Sequence, residues 1–390
     1  RKHGMRFPDS SNGVDVLSLA QATERYPDYE IYTTQIYDSL LDVREDLLRQ
    51  GIPPERIKTP NFVYKKSCPK LISGEVHIMY DGITSCCYAR KKNGASKPLP
   101  KGVTYDPCDV RGTLTRFMQR KNEMETSGEC DDCILFEDKE SFYPSRSQYT
   151  MLSMSISYWK CPLHCSYCHH THYHSSEEED LRSMQMLVNL AEEMFHSGIA
   201  DPNFCIRLAT GEITDHKYKN LIYDWLEKNK RPLRVLTNGL QFDQKLFELI
   251  QIPGSYLNVS LDAGTPETYR EIKGADAFDL VVKNLIKYAQ GERRVLLKYI
   301  FLENNLDEAN INGFVAVAQK CNPLGIVIST NMDFQDQSVG YPMGMIDAIV
   351  RMIQNLRAIG IGSGSIFINN LFTVEQMDTI NDALCNEVLV

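Results

Sequence analysis

Trp159-Lys-Cys161-Pro-Leu-His-Cys165-Ser-Tyr167-Cys168-His-His170 is the stretch on which the reading of this chain turns. Its three cysteines stand at C-x3-C-x2-C spacing. Just before them, Met151-Leu-Ser-Met-Ser-Ile-Ser-Tyr158 alternates as a strand does, and a helix-like segment runs from about Glu178 to His196. The cysteines are therefore expected on a loop between a strand and a helix. Three thiolates on one short loop suit an iron–sulfur cluster. A [4Fe–4S] cube usually takes four cysteines, so three leave one iron open to a substrate or cosubstrate. Zinc is the alternative, although zinc sites favour C-x2-C pairs with a second pair downstream.

From Met151 onward, strand and helix patterns alternate. Strands are predicted near 151–157, 203–208, 232–237, 255–262, 294–302 and 325–331. Helices are predicted near 181–198, 216–229, 242–250, 278–289, 308–320 and 345–359. Such alternation implies a parallel sheet, and in a barrel the functional residues gather at the carboxyl ends of strands. The second strand ends Arg207-Leu-Ala-Thr210-Gly211-Glu212 and the third Val235-Leu-Thr237-Asn238-Gly239. The fourth reads Leu257-Asn258-Val-Ser260-Leu-Asp262, with polar residues at alternate positions. Lys298 interrupts the apolar run Val295-Leu-Leu-Lys-Tyr-Ile-Phe301. A lysine in such a run must pair or line a cavity; an ion pair with Glu212 or Asp262 is one expectation, a cavity position the other.

The cysteine triad with an aromatic residue before its last member resembles the radical SAM superfamily. Thr210-Gly211-Glu212 is similar to the family's Gly-Gly-Glu region, and Thr265-Pro-Glu-Thr-Tyr-Arg-Glu-Ile-Lys-Gly274 resembles its molybdenum-cofactor-synthase and SPASM branch. The resemblance implies an α/β fold, a partial (β/α)6 TIM-like barrel over residues 146–390. It implies a [4Fe–4S] cluster on Cys161, Cys165 and Cys168 whose open iron binds S-adenosyl-L-methionine. One electron then splits the S–C5′ bond, and a 5′-deoxyadenosyl radical abstracts hydrogen. Gly211 and Glu212 would meet the methionine amino group, Tyr167 the adenine, Asn238 the cosubstrate and Ser260 the ribose. Lys298 would act near the carboxylate or the substrate.

Residues 61–145 read as irregular and cysteine-rich, a domain of their own. Cys68, a strand over Glu75–Tyr80, an Asp81-Gly82 hairpin signal, Cys86-Cys87 and Cys130-x2-Cys133 resemble the SPASM and twitch modules. The resemblance implies a second, auxiliary [4Fe–4S] cluster on Cys68, Cys87, Cys130 and Cys133, with Cys86 competing for the place of Cys87. A structural zinc held by the same cysteines stays open. Residues 1–60 read as a short α/β segment, with a strand at Glu30–Thr34 and a helix over Asp38–Gln50, resembling modules found near surface-sugar enzymes.

The 390 residues carry a net charge of −9 and no long basic run, which argues against a nucleic-acid partner. No apolar run reaches transmembrane length. No export signal is visible, so the twelve cysteines point to metal rather than disulfides and to a reducing cytoplasm. His164, His169, His170, His172 and His174 read as a solvated loop, Cys205 and Cys321 as core. The expected substrate is a sugar or nucleotide-sugar, undergoing oxidation, epimerisation or deoxygenation, with flavodoxin or ferredoxin as electron donor. The alternatives are a peptide or protein substrate and, from a different class, a non-catalytic metal-binding scaffold.

Overall fold

A computed structural model describes residues 63–68, 74–79, 82–86, 98–133, 149–156, 159–168, 175–331 and 341–368. Shorter pieces at 10–11, 14–15, 31–32, 57–58, 71, 136–141, 372 and 374–385 are also described. The chain forms two units, one of residues 1–65 with 138–145 and one of residues 66–137 with 146–390. In the first, β1 (Ser10–Ser11) pairs antiparallel with β2 (Val14–Asp15), and β3 (Ile31–Tyr32) pairs parallel with β4 (Ile57–Lys58). Parallel neighbours require a crossover; the helix expected over 38–50 would be that crossover, and it lies outside the described residues.

β5 (Val63–Ser67) and β9 (Glu137–Ser141) form a two-stranded sheet. The second unit is built on ten strands. β6 (Glu75–Met79), β7 (Gly82–Thr84) and β8 (Val103–Thr104) come first, followed by the helix α1 (Val110–Thr126). Then come β10 (Tyr149–Ile156), α2 (Glu177–His196), β11 (Ala200–Leu208), α3 (Lys219–Asn229), β12 (Leu233–Thr237), α4 (Gln244–Leu249) and β13 (Tyr256–Ser260). The series ends with α5 (Pro266–Lys273), α6 (Phe278–Tyr288), β14 (Val295–Phe301), α7 (Glu308–Cys321), β15 (Gly325–Thr330), α8 (Met345–Ala358), β16 (Ile366–Ile368) and α9 (Val374–Cys385).

The spatial order is β16-β15-β14-β13-β12-β11-β10-β6-β7-β8. Every neighbouring pair from β16 to β6 is parallel, and β7 and β8 close the edge antiparallel. The six strands β10 to β15 lie side by side in chain order with helices between them, which is the α/β architecture expected of the partial barrel.

Local chemistry explains the elements. In β14 every residue but Lys298 is buried, as in a parallel strand covered on both faces. Ser176 and Glu179 close a reciprocal capping box on α2, and four acidic residues in its first turn face the positive helix end. Thr265 caps α5, Pro266 occupies its first turn, and Gly274 ends it at φ +70°.

Two expectations are corrected. The cysteine-rich segment is not a separate domain, because β6 pairs along β10 and residues 66–137 share the barrel's unit. Nor is it irregular: α1 fills residues 110–126, capped by Asp109, with Leu114, Phe117, Lys121 and Met124 buried. Its apolar positions are thinly spread among charges, so the helical period is weak in the sequence. Among the described residues, no helix is long and apolar enough to cross a membrane.

Candidate active site

The cysteine loop leaves the carboxyl end of β10 and is fastened on two sides. On one side, His164 N donates to Lys273 O (3.1 Å) and Ser166 N to Ile272 O (2.9 Å), tying it to the end of α5. On the other, Glu212 N donates to Lys160 O (3.2 Å). Gly211 sits at φ +58°, and a Cβ there would lie 2.4 Å from the Cβ of Trp159. Only glycine permits that conformation and that approach. Trp159 is itself held, its indole N–H donating to Ser183 Oγ at 2.8 Å and its ring 4.3 Å from that of His216. The loop is thus positioned by β11, α2 and α5 together.

Cys161, Cys165 and Cys168 are partly accessible on this loop, and Cys168 N donates to Cys165 O at 3.0 Å. The three thiols are close enough for each to feel the charge of the others. Burial pushes the Cys161 thiol up, against hydrogen bonds from Leu163 N–H and the Asn238 amide. It pushes Cys165 up to about 11, against the attraction of Lys273. Asn238 Nδ2 lies 3.5 Å from Cys161 Sγ, so its amide is aimed at a cysteine sulfur.

Glu212 is 1% exposed and fully engaged. Its Oε1 accepts from Thr214 N (3.2 Å), Thr214 Oγ1 (2.8 Å) and Thr237 Oγ1 (2.8 Å), and its Oε2 from Asn238 N (2.8 Å), with Thr237 Oγ1 also 3.0 Å away. Four hydrogens from two strand ends thus converge on this carboxylate, which knots the ends of β11 and β12. Burial raises its pKa, and the bonds from Asn238, Thr214 and Thr237 oppose the rise.

Tyr167 is tied down by its hydroxyl. It donates to Asp262 Oδ2 at 2.6 Å and accepts from Lys273 Nζ at 2.7 Å, while Lys273 also pairs with Asp262 Oδ2. Asp262 Oδ1 accepts from Ile300 N (2.8 Å), and Asn305 Nδ2 donates to Asp262 O (2.9 Å). Asp262 and Lys273 are 0% and 1% exposed in their side chains. This network joins the cysteine loop to β13, α5 and β14. It also corrects the expected ion pair of Lys298, since Asp262 belongs to Lys273. Lys298 stands instead beside Ser260 in register, partly buried and with no ion pair among the described residues. Burial lowers its pKa; the Asp262 carboxylate opposes this, and repulsion from Lys273 and Arg207 adds to it.

Away from the loop, Cys68, Cys86, Cys130 and Cys133 pack into one buried cluster with Leu71, Met124 and Phe136. None of the four is in a disulfide. Cys86 is the member of the Cys86-Cys87 pair seen with the other three among the described residues, and Cys87, the position the sequence favoured, lies outside them. His169, His170, His172 and His174 lie there too. Cys205 and Cys321 are buried, as expected, and Cys108 is exposed.

Cysteine thiolate is the donor that iron–sulfur clusters take from a protein. Three partly accessible thiols offer three corners of a cube, and four buried thiols offer four. Among the described residues no three His, Cys, Asp or Glu side chains are gathered to clasp one metal ion. Around a cube each thiolate meets its own iron, so its ligands stand wider apart than those of a mononuclear site.

Part of the chain is similar to known proteins. The family model of the radical SAM superfamily matches residues 156–309. GTP 3′,8-cyclases of Haemophilus influenzae strains 86-028NP and PittEE are each 25% identical, over 177 residues (44% of this chain, 51% of the relative) and 169 residues (42% and 49%). The chain spans about half the length of the curated relatives it matches. Among solved structures, Streptococcus suis SuiB bound to precursor peptide SuiA is similar at a TM-score of 0.45 and 12% identity, over 72% of this chain and 59% of that one. Methylornithine synthase is similar at 0.35 and 15%, over 60% and 77%.

Proposed function

We propose that this chain is a radical SAM superfamily enzyme, a reading supported by the family model that matches residues 156–309, and that it starts hydrogen-atom chemistry from the Cys161/Cys165/Cys168 loop. Cys161, Cys165 and Cys168 would hold a [4Fe–4S] cluster with one iron left open to S-adenosyl-L-methionine, and the pair would supply hydrogen-abstraction chemistry to a substrate. The observation that carries this reading is the loop itself: three mutually close, partly accessible thiols fixed between β11 and α5 at the carboxyl end of β10.

The chain's own residues prepare that site. Lys273 places a positive charge near Cys165, which favours its thiolate. The Asn238 amide donates toward Cys161, favouring charge on that sulfur as well. Glu212 holds Thr237 and Asn238 in place, acting as a positioning residue. Ser260 and Lys298, adjacent on β13 and β14, line the barrel where a cosubstrate or substrate would lie. The ring of Tyr167 is fixed by its hydroxyl, in a position from which it can flank the adenine.

The four buried cysteines support a second, auxiliary [4Fe–4S] cluster, with Cys86 replacing Cys87 in the ligand set. The parallel N-terminal strands β3 and β4 support a sugar or nucleotide-sugar substrate, whereas the SPASM-like cysteine order supports a peptide. A flavodoxin or ferredoxin would donate the electron in a reducing cytoplasm. The test is anaerobic reconstitution with iron and sulfide, then dithionite and S-adenosyl-L-methionine. About eight irons per chain with 5′-deoxyadenosine formed is the expected result. About four irons with nucleoside would make the buried cysteines a zinc site. Absence of nucleoside would overturn the reading in favour of a scaffold.

A further inference from the structure

The inner face of the barrel carries cations that form no ion pair among the described residues. Lys298 lies between Leu297 and Tyr299, both fully buried, and Tyr299 stacks on Phe314 of α7 with ring centroids 4.8 Å apart. Alternation along the strand therefore points Lys298 away from the helices and into the barrel. Arg207 on β11 is three strands away, about 14 Å along a flat sheet. Arg207 is in register with Arg234, Arg234 with Tyr256, and Ser260, two alternations on from Tyr256, with Lys298, so Lys298 and Arg207 share the inner face of the sheet. Arg234 on β12 is in register with Arg207. Its guanidinium lies 5.5 Å from the centre of the Tyr256 ring, and its Nε is buried without a hydrogen-bond partner.

Among the described residues, the nearby carboxylates are committed elsewhere. Asp262 is spent on Lys273, Tyr167 and Ile300 N. Glu212 is spent on Thr214, Thr237 and Asn238. Glu75, whose field reaches Cys205 together with those of Arg207 and Arg234, stands 3.4 Å from His77 and within ion-pair distance of neither arginine. Among the described residues, Lys298, Arg207 and Arg234 form no ion pair. Partly buried cations without a counter-ion give up hydration for no return, and a fold that turns three of them onto one face invites an anion from outside.

We propose that Lys298 and Arg207, backed by Arg234, form an anion subsite for the substrate, taking a carboxylate or phosphate group. An arginine fork matches both groups in two-point geometry, and a lysine adds a compact charge. The proposal rests on the reading of this barrel as the reaction chamber, and it narrows the substrate to one that carries an acid group.

The test uses the reconstituted full chain, with inorganic phosphate and formate titrated calorimetrically with and without S-adenosyl-L-methionine. Phosphate or formate should bind, and still bind when S-adenosyl-L-methionine is present; the tighter of the two names the acid group. Lys298→Met and Arg207→Met should each weaken binding by about tenfold or more, and Lys298→Arg should restore most of it. Should Arg207→Met fail to fold, the Lys298→Met and Lys298→Arg pair decides alone. No binding by wild type, equal binding by Lys298→Met, or displacement by S-adenosyl-L-methionine would overturn the proposal. Nucleoside formation is measured on the same wild-type sample. Nucleoside without anion binding sinks the subsite alone, and anion binding without nucleoside sinks the radical reading alone.

Discussion

Cys161, Cys165 and Cys168 are partly accessible on a loop held by hydrogen bonds, whereas Cys68, Cys86, Cys130 and Cys133 are each at most 9% exposed among Leu71, Met124 and Phe136. The same side chain does different work under these conditions. A thiol group that a small molecule can reach suits binding and turnover, and it needs outside help to stay in place; here β11, α2 and α5 give that help. A thiol group sealed by apolar side chains is held by its own packing. It suits bracing or electron transfer rather than turnover, because apolar neighbours among the described residues shield it.

The largest effect that could break this contrast is on the open loop. Cys165→Ala should bring 5′-deoxyadenosine in reconstituted enzyme down to background and remove about four irons per chain. Unchanged nucleoside by chromatography would move the chemistry elsewhere. Cys130→Ser sharpens the other side. Iron should again fall by about four per chain, yet nucleoside should still form; zinc found in wild type by elemental analysis would reassign the sealed site.

The Tyr167–Asp262–Lys273 network belongs to the open loop's scaffolding. Lys273→Met leaves a buried carboxylate without its cation, and a loss of about 3–5 kcal/mol in denaturant unfolding is expected. Adding Asp262→Asn should recover part of it. A Lys273→Met protein as stable as wild type would mean that the loop owes nothing to this pair.

The smallest effect is a pH dependence. The pKa of Lys298 is lowered in the folded chain from its ordinary 10.5. Between the lowered value and 10.5 the unfolded chain holds more protons than the folded one, so stability rises with pH there. Wild type should therefore gain melting temperature relative to Lys298→Met as pH is raised through that window. A constant difference between the two would show that Lys298 is as well solvated as a surface lysine.

Glu212 shows where sequence reading stopped. Its place after the second strand was legible, yet its partners Thr214, Thr237 and Asn238 come from two separate strand ends. No spacing reveals that these donors converge on its carboxylate. Lys273 is similar: it sits at the end of an ordinary amphipathic helix, and only the turn of the chain brings it to Asp262. For α1, a signal was available in the i, i+3, i+7, i+10 spacing of Leu114, Phe117, Lys121 and Met124, diluted by its charged residues.

By itself, the sequence determined the cysteine spacing, the six strand–helix alternations and the strand ends at which polar residues recur. These follow from covalent order and from periodicities of two and 3.6 residues, which local geometry imposes. Only the tertiary structure decided that β6 lies against β10, that Cys86 meets Cys68, Cys130 and Cys133, and which cations keep a partner. Those are contacts between residues far apart in the chain. They depend on how apolar faces pack and on which buried charge reaches its counter-charge first, neither of which is written in any one segment.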